Sequence, residues 1–336
     1  MKKPILGITM GDAAGVGPEI IVKALADNAM YKLARPIVFG DKKIMERAVQ
    51  VVSSSLICRT IAKPADGGND FGTIDIIDLN NLPVDLPFAH LDARAGKAAY
   101  EYIAEAVKYA LNDEIHAIVT APLNKEALHM GGCPYPGHTE ILGALTGQKD
   151  YSMMLVSEAL RVIHVSTHVS MHQACDLVKK ERVETVINLA NDTLKLMGLE
   201  NPRIAVAGLN AHCGEHGLFG NEDDQEILPA VEAAKMRGIN IEGPIAPDTV
   251  FHRAVNKKEF DIVVAMYHDQ GHIPIKLLGF EVGVNVTVGL PCIRTSVDHG
   301  TAFPVAGTGK ADSRSMTESL LLGTQMAKVK YADQFK

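Results

Sequence analysis

The stretch FDIVVAMYHDQGH, residues 260–272, decides the fold class because an apolar run ends abruptly in polar residues. The run FDIVVAMY is rich in apolar residues and is typical of a strand that is buried on both faces, as in a parallel sheet. His268 follows that run directly. In open α/β sheets, ligands bind in the crevice beyond the carboxyl ends of the strands. The stretch therefore indicates an α/β protein with a candidate binding residue at a strand end.

Two other histidines follow strand-like runs in the same way. His168 closes VIHVSTH (residues 162–168), and His212 closes IAVAGLNAH (residues 204–212). Three imidazoles from three strand ends could hold one divalent metal ion and leave a coordination position open for a substrate. A single histidine at a strand end is more often a hydrogen-bonded loop residue, and spacing alone leaves both interpretations open. The segments around His212 and His268 are rich in Gly, Asn, Asp and Gln, which favours a functional loop.

Strand-like and helix-like segments alternate along the chain, which predicts an α/β fold with a mostly parallel sheet. The predicted strands are PILGITM, PIVFG, SLICRTI, TIDIID, HAIVTAP, SMMLVS, RVIHVST, RIAVAGL, FDIVVAMY and EVGVNVTVG, and the predicted helices include residues 18–27, 94–112, 181–197, 224–236 and 316–328. The neighbouring runs SMMLVS and RVIHVST predict a hairpin, and so a mixed sheet in the second lobe. A chain of 336 residues fits two lobes, which we place at residues 1–130 with 300–336 and at residues 131–299.

The composition is that of a soluble globular protein, with 47% hydrophobic and 22% charged residues. The net charge of −7, without a run rich in Lys and Arg, argues against nucleic acid as a partner. The cysteines form no Cys-x-x-Cys pair, which predicts reduced thiols in a cytoplasmic protein. No apolar run approaches the ~20 residues of a membrane span, and the short apolar run near the start does not resemble a signal peptide.

The loop GDAAGVGPE, residues 11–19, joins the first predicted strand to the first predicted helix. Its glycines and the helix start favour an anion close to the backbone, but a tight turn before a helix explains the same residues equally well. The Rossmann pattern G-x-G-x-x-G fails, because Ile20 stands at the third glycine position. Asp41, at the end of the second predicted strand, leaves a ribose-binding role open.

Several polar residues indicate a small anionic substrate. His138 and Thr139 lie in PGHTE (residues 136–140) at a predicted helix start, where Thr139 could instead be the capping residue. Lys276, Asn285 and Arg294 lie in an otherwise apolar stretch, where an isolated cation is costly unless it is paired. Arg suits bidentate binding of phosphate or carboxylate, and Lys adds a point charge. The alternative is that both cations pair with Asp or Glu of this chain.

Motifs along nearly the whole chain resemble those of the 4-hydroxythreonine-4-phosphate dehydrogenase family, which includes relatives that act on 4-phospho-D-threonate and 4-phospho-D-erythronate. In chain order these motifs are GDAAGVGPE, APLNKEAL, PGHTE, GLNAHCGE, MYHDQG and GLPCIRTSVDHGTAF. The resemblance is far more specific for the family than for the substrate. Three residues depart from the family pattern: Ala13 stands where Pro is common, and His216 and His272 are additional imidazoles. The additional imidazoles favour a substrate like those of the sugar-acid relatives over the amino acid.

The resemblance implies a fold and a set of site residues. The implied fold is a two-lobed α/β/α architecture similar to isocitrate and isopropylmalate dehydrogenases, which bind NAD without a Rossmann fingerprint. It also implies a homodimer whose active site lies at the subunit interface, with metal ligands from both subunits. Cofactor contacts are expected in the first lobe, and metal and dimer contacts in the second. The matching metal ligands, for zinc, magnesium or cobalt, are His168, His212 and His268, and the matching substrate-binding residues are His138, Thr139, Lys276, Asn285 and Arg294.

The implied reaction is an NAD-dependent and metal-dependent oxidation of the 3-hydroxyl of a 4-phosphorylated hydroxy acid, followed by decarboxylation of the 3-keto acid. Asp269 and Lys276 are the candidates for the group that takes the hydroxyl proton. A metal-dependent hydrolase or lyase would use the same three histidines to activate water and would need no nicotinamide. A phosphosugar-binding module would need the cations but not the histidines.

Overall fold

The computed structural model describes residues 2–279 and 283–335. Its strands are β1 (Ile5–Thr9), β2 (Arg35–Gly40), β3 (Ile57–Thr60), β4 (Thr73–Asp78), β5 (Ala117–Thr120), β6 (Ser152–Val156), β7 (Arg161–His164), β8 (Ile204–Ala207), β9 (Ile241–Ile245), β10 (Ile262–Ala265), β11 (Val284–Val288) and β12 (Ile293–Val297). Its α-helices are α1 (Gly17–Leu25), α2 (Asn28–Leu33), α3 (Lys42–Val51), α4 (Ala93–Leu111), α5 (Lys125–Met130), α6 (His138–Thr146), α7 (Met171–Leu177), α8 (Lys180–Leu196), α9 (Leu228–Met236), α10 (Pro247–Val255), α11 (His268–Gly279) and α12 (Arg314–Lys330). In this described part of the chain, no helix is long and apolar enough to cross a membrane.

The chain divides into two compact units, one formed by Met1–Lys149 with Leu290–Lys336 and the other by Asp150–Gly289. The sequence predicts the boundaries near residues 130 and 300 instead. The difference has a structural cause, because α6 packs against α4 and β12 pairs with β5. Residues 131–149 and 290–299 therefore lie in the first unit.

The first unit is built on strands in the order β3-β4-β2-β1-β5-β12. All neighbouring strands in this order are parallel. Parallel sheets are covered by their crossover helices, and Leu6, Ile8 and Ile118 of the central strands are accordingly fully buried. Since β1, β5 and β12 are parallel neighbours, the loops that follow them leave the same edge of the sheet.

The second unit has a mixed sheet with the strand order β11-β6-β7-β10-β8-β9. Strand β6 is antiparallel to β7 and to β11, whereas β7, β10, β8 and β9 are successive parallel neighbours. The predicted hairpin is confirmed, with Met154 opposite Ile163. The core of the second unit includes Leu155, Val162, Ala205, Val263 and Ile275.

Three of the elements that the sequence prediction misses have clear physical causes. Strand β9 contains Gly243 and Pro244, which are rare in strands, and it lies at an edge of its sheet, where proline is tolerated. Strand β12 carries a buried arginine, Arg294, inside an otherwise strand-like run. Helix α11 follows β10 closely and contains Pro274, a residue that normally ends helices. The predicted strand EVGVNVTVG is observed as β11, and its residues 281 and 282 lie outside the described residues.

Asp41 has a structural role rather than a ribose-binding one. It precedes α3 and is fully buried. Its carboxylate accepts a hydrogen bond from the Tyr102 hydroxyl at 2.5 Å and another from the backbone N–H of Leu82 at 3.1 Å. Both carboxylate oxygens are therefore engaged within the first unit, as a buried carboxylate requires.

Candidate functional site

The three predicted metal ligands follow three neighbouring parallel strands of the second unit. His168 follows β7, His268 follows β10 and His212 follows β8, and β10 pairs in parallel with both of the other strands. The carboxyl ends of these strands lie at one edge of the sheet, where α/β proteins bind ligands. The strand-end positions that the sequence predicts for the three histidines are therefore observed.

Two of these three histidines lie close together. The ring centres of His168 and His268 are 5.9 Å apart, and both residues line a cavity of about 450 Å³ together with Ser170, Tyr267 and Asp269. A metal-bound imidazole has its ring centre about 3 Å from the ion, so this separation suits two ligands of one ion. Within residues 2–279 and 283–335, no three His, Cys, Asp or Glu side chains are grouped to hold a metal ion. Within one chain, His168 and His268 therefore lie close together, and His212 is not grouped with them.

His268 is oriented by its neighbour in sequence. Its Nδ1 lies 2.6 Å from Oδ1 of Asp269. Because a carboxylate can only accept, Nδ1 carries the hydrogen, and in the tautomer with its only hydrogen on Nδ1 the atom Nε2 has a lone pair. Metal-binding histidines usually donate their second ring N–H to such a carboxylate or carbonyl. The contact therefore gives His268 the Nδ1–H···carboxylate arrangement that is common among metal-binding histidines.

Two further histidines, His164 and His272, pack beside His268. The rings of His268 and His272 are stacked, with centres 3.6 Å apart and planes inclined by 11°. His272 Nδ1 lies 3.1 Å from Nε2 of His164, and His164 is fully buried at the end of β7. Burial lowers the pKa of His164 to about 3, with a smaller contribution from the neighbouring imidazoles. His164 is therefore a neutral imidazole at neutral pH.

His212 lies in a strained loop after β8. His212, Cys213, Glu215 and His216 all have positive φ, between 45° and 56°, which costs non-glycine residues roughly 1–2 kcal/mol each. The buried carboxylate of Asp223 stabilises the start of this loop by accepting hydrogen bonds from the backbone N–H groups of Leu209 and Asn210 and from the Asn210 side chain. Backbone strain of this kind is often retained at functional sites.

Gln270 connects the loops after β10 and β8. Its side-chain carbonyl accepts a hydrogen bond from the backbone N–H of Met266 at 2.6 Å, and its amide donates to the carbonyl of Gly208 at 2.8 Å. Gln270 is buried, so both of these bonds are protected from water. It therefore fixes the start of α11, which carries His268, relative to the loop that carries His212.

The first unit contains a buried cation, Arg294, on β12. Arg294 is 2% exposed, and its Nη2 donates to the hydroxyl of Thr120 at 2.7 Å. Burial lowers the pKa of Arg294 to about 9, although the charge of Glu140 acts in the opposite direction. An anionic substrate group next to this guanidinium would offset the cost of burying its charge. An anion-binding role for Arg294 stays a prediction, and Glu140 is an acidic neighbour of the kind that pairing within this chain would require.

His138 is the first residue of α6, and Thr139 is the second. Gly137 occupies the capping position, so Thr139 is not the helix cap. Burial, together with the nearby charge of Arg294, holds the pKa of His138 well below its usual value. Its Nε2 is buried and has no hydrogen-bond partner among the described residues. A neutral imidazole with an available nitrogen is suited to a polar group of a substrate.

The glycine loop lies at the same edge of the first sheet. The backbone N–H of Asp12 donates to the carbonyl of Pro122, and that of Val16 donates to the carbonyl of Thr301. Gly11 has φ +72°, and an added Cβ there would lie 2.3 Å from the Pro122 carbonyl oxygen, so glycine is required. Burial raises the pKa of the fully buried Asp12 carboxyl to about 6. The loops after β1, β5 and β12 are therefore packed tightly against one another.

The remaining predicted site residues lie on separate elements. Lys276 is half-buried on α11, and Asn285 lies on β11 opposite Leu155. Four further residues that shape the sites are not evident from the sequence: Asp12, His164, Asp223 and Gln270. All four are buried, and no local pattern in the sequence reveals that burial.

Comparison with known proteins identifies the family. A family model described as "Pyridoxal phosphate biosynthetic protein PdxA" matches residues 32–323. The D-threonate 4-phosphate dehydrogenase of Cupriavidus necator is 53% identical over 325 residues, which cover 96% of this chain and 97% of that protein. The crystal structure of a 4-hydroxythreonine-4-phosphate dehydrogenase from Burkholderia phymatum is similar with a TM-score of 0.86 and 53% identity, over 97% of this chain and 99% of that chain.

A more distant structure bears on the fold alone. A β-decarboxylating dehydrogenase from Thermococcus kodakarensis is 13% identical, with a TM-score of 0.50 over 95% of this chain and 81% of that chain. The predicted fold class and the predicted family resemblance are both confirmed. The chain belongs to the PdxA family.

Proposed function

We propose that this protein is an NAD-dependent dehydrogenase that oxidises the 3-hydroxyl of D-threonate 4-phosphate, or of a closely related 4-phosphorylated hydroxy acid. The resulting 3-keto acid would then lose carbon dioxide. The names of the similar proteins support a dehydrogenase acting on a small phosphorylated acid. The observation that carries the proposal is the pair His168 and His268 at neighbouring strand ends, with Asp269 fixing the tautomer of His268.

The proposed metal ligands are His168, His212 and His268. Imidazole nitrogens suit zinc and other divalent transition ions, and the Asp269 carboxylate completes the support that such ligands usually have. A single chain does not group three ligands among its described residues. We therefore propose a homodimer in which both copies contribute imidazoles to each site. A bound divalent ion would supply Lewis acidity to the oxygens of the substrate, and bound NAD would accept the hydride.

The proposed substrate-binding residues divide by chemistry. Arg294 binds an anionic group, because its buried guanidinium has five fixed donors that match phosphate and carboxylate. His138, which is neutral, and Thr139 bind hydroxyl or carboxylate oxygens of the substrate. Lys276 and Asn285 are proposed to supply further polar contacts to the substrate. Together these residues would orient the reacting C–H bond, and orientation is a large part of catalysis.

Lys276 is the preferred candidate for the group that accepts the hydroxyl proton. Asp269 is the second candidate, but its carboxylate already binds the ring N–H of His268 at 2.6 Å. Protonation of Asp269 would weaken that contact at the moment when His268 must remain oriented. The hydrogen bond to His268 therefore favours Asp269 as an orienting group, which leaves Lys276 as the proposed base. The contacts of NAD are proposed to lie in the first unit.

The substrate is tested by NADH formation with metal-loaded protein and each of three acids, namely D-threonate 4-phosphate, D-erythronate 4-phosphate and 4-phosphohydroxy-L-threonine. We expect the highest kcat/KM with D-threonate 4-phosphate. Turnover of the amino acid alone would contradict the sugar-acid assignment but would keep the dehydrogenase. Release of inorganic phosphate without NADH would instead support the metal-dependent hydrolase.

A further inference from the structure

We propose that His272, held by the buried His164, is a positioning residue for the metal ligand His268. This inference rests on the proposed function, because it presumes that His268 binds a metal ion. It goes beyond the ligand set, since neither His164 nor His272 is among the proposed ligands. Its basis is the stacked pair of rings on α11 and the hydrogen bond that joins this pair to β7.

The hydrogen-bond pattern determines where the protons lie. His164 Nδ1 is 3.2 Å from the carbonyl oxygen of Met153, which can only accept, so Nδ1 carries the hydrogen. In the neutral ring, Nε2 of His164 is then an acceptor. His272 Nδ1 lies 3.1 Å from that nitrogen and 3.0 Å from the carbonyl oxygen of His268, so it faces two acceptors and must carry a hydrogen. The orientation of the His272 ring is therefore fixed by the backbone of β6 through His164.

The fixed ring of His272 in turn restricts His268. The two residues are four positions apart on α11, so their side chains lie on the same face of the helix. The ring of His272 covers one face of the His268 imidazole at 3.6 Å between centres, while Asp269 binds its Nδ1 edge. Rotation of the His268 ring would break the stacking and the hydrogen bond together. The ring is thus held in one orientation before a metal ion binds.

Gly271 leaves the space that this arrangement needs. A Cβ added at Gly271 would lie 2.5 Å from Nε2 of His164 and 2.5 Å from Cγ1 of Val162. Contacts this short force a shift, and both neighbours lie on the short strand β7 with little freedom to move. A methyl group at this position would therefore separate His164 from His272 without changing either imidazole.

The experiment measures Co²⁺ affinity and the visible spectrum of the Co²⁺ complex for the full-length protein, with unfolding temperature as a check on folding. We expect H272A to weaken Co²⁺ binding about tenfold or more, as loss of an orienting partner does, with the spectrum of the ligand set retained. H272F keeps a stacking ring but cannot bind His164, so it should recover only part of the lost affinity. G271A should weaken binding although it retains every histidine. H172A removes an exposed histidine of α7 and should have no effect.

The outcomes separate this inference from the proposed function. Wild-type Co²⁺ affinity in H272A and G271A, with binding lost in H268A, would overturn the positioning role and leave the metal assignment intact. A changed Co²⁺ spectrum in H272A would also overturn it, because His272 would then be a ligand itself. Wild-type Co²⁺ affinity in H268A would overturn the metal assignment on which both proposals depend.

Discussion

The Nδ1 atom of His268 lies 2.6 Å from Oδ1 of Asp269, the next residue in the chain. Consecutive residues rarely support each other in this way in a strand, where side chains alternate between faces. Here the pair lies at the start of α11, just after β10 ends at Ala265. The fold therefore places, at the carboxyl end of a central parallel strand, a histidine whose Nδ1 is oriented by the neighbouring carboxylate.

The first prediction concerns this contact. We expect Asp269→Asn to weaken binding of Co²⁺ or Zn²⁺ by about 10- to 100-fold, because the amide orients the imidazole less well than the carboxylate does. Equilibrium titration with a competing chelator measures the change. Asp176→Asn is the matched control, since Asp176 pairs with the exposed His172. Equal affinities in Asp269→Asn and wild type would show that the contact has no role at a metal site.

The second prediction concerns Arg294. We expect Arg294→Lys to raise the KM for the phosphorylated acid about tenfold or more, because a hydrogen bond to a charged group contributes about 1.5–3 kcal/mol and Lys cannot reproduce the fork of Arg. Steady-state kinetics with varied substrate measure KM and kcat separately. Arg182→Lys is the control, because Arg182 is half-buried and donates to the backbone carbonyls of Val165 and Tyr151. An unchanged KM in Arg294→Lys would remove this residue from the substrate site.

The third prediction concerns the pH dependence of stability. Burial raises the pKa of Asp12 from 3.8 to about 6, so the folded protein binds this proton more tightly than the unfolded chain does. The free energy of unfolding should therefore fall as pH rises from about 4 to about 6. Above that range, ionisation of the buried Asp12 carboxyl lowers the free energy of unfolding by about 3 kcal/mol in full. Asp12→Asn should be more stable than wild type at pH 7, and the difference should vanish near pH 4.

Urea denaturation across this pH range measures the difference. Asp312→Asn is the contrasting variant, because a hydrogen bond from Arg314 lowers the pKa of Asp312. Its substitution should lower stability at neutral pH, and this loss should disappear in acid. An Asp12→Asn protein that is less stable than wild type at pH 7 would contradict the account of Asp12.

The fourth prediction concerns the loop that carries His212. Asp223→Ala removes the acceptor of three N–H groups, so residues 209–216 should exchange their amide hydrogens faster and metal binding should weaken. Hydrogen exchange followed by mass spectrometry resolves this segment. Asp224→Ala changes the neighbouring exposed carboxylate and should leave exchange in the loop unchanged. Equal exchange in Asp223→Ala and wild type would show that the strained loop holds its shape without Asp223.

Most strands and the strand-end positions of the histidines are well predicted from the sequence. The runs before His168, His212 and His268 are short, apolar and rich in β-branched residues or bounded by polar loops, which together indicate buried strands. The distances between these histidine side chains in the folded protein do not follow from that pattern. It depends on the conformation of each loop, and the positive φ values from His212 to His216 have no sequence signal apart from Gly214.

The supporting residues are poorly predicted for a different reason. Asp223 lies in the acidic run NEDD, which reads as an exposed helix start, yet its side chain is fully buried. His164 lies within an apolar strand and reads as a core residue, and only the fold shows that it contacts His272. Arg294 is identifiable from the sequence because a cation in an apolar stretch is costly. The strand that carries it, β12, is not predicted from the sequence.

The proposed oxidation and decarboxylation are tested by measuring NADH and carbon dioxide together. Metal-loaded wild-type protein and the variant His268→Ala are each supplied with NAD and D-threonate 4-phosphate. We expect one carbon dioxide for each NADH with the wild type, and loss of both products with His268→Ala. Turnover of the substrate that forms neither NADH nor carbon dioxide, or full activity in His268→Ala, would contradict this expectation.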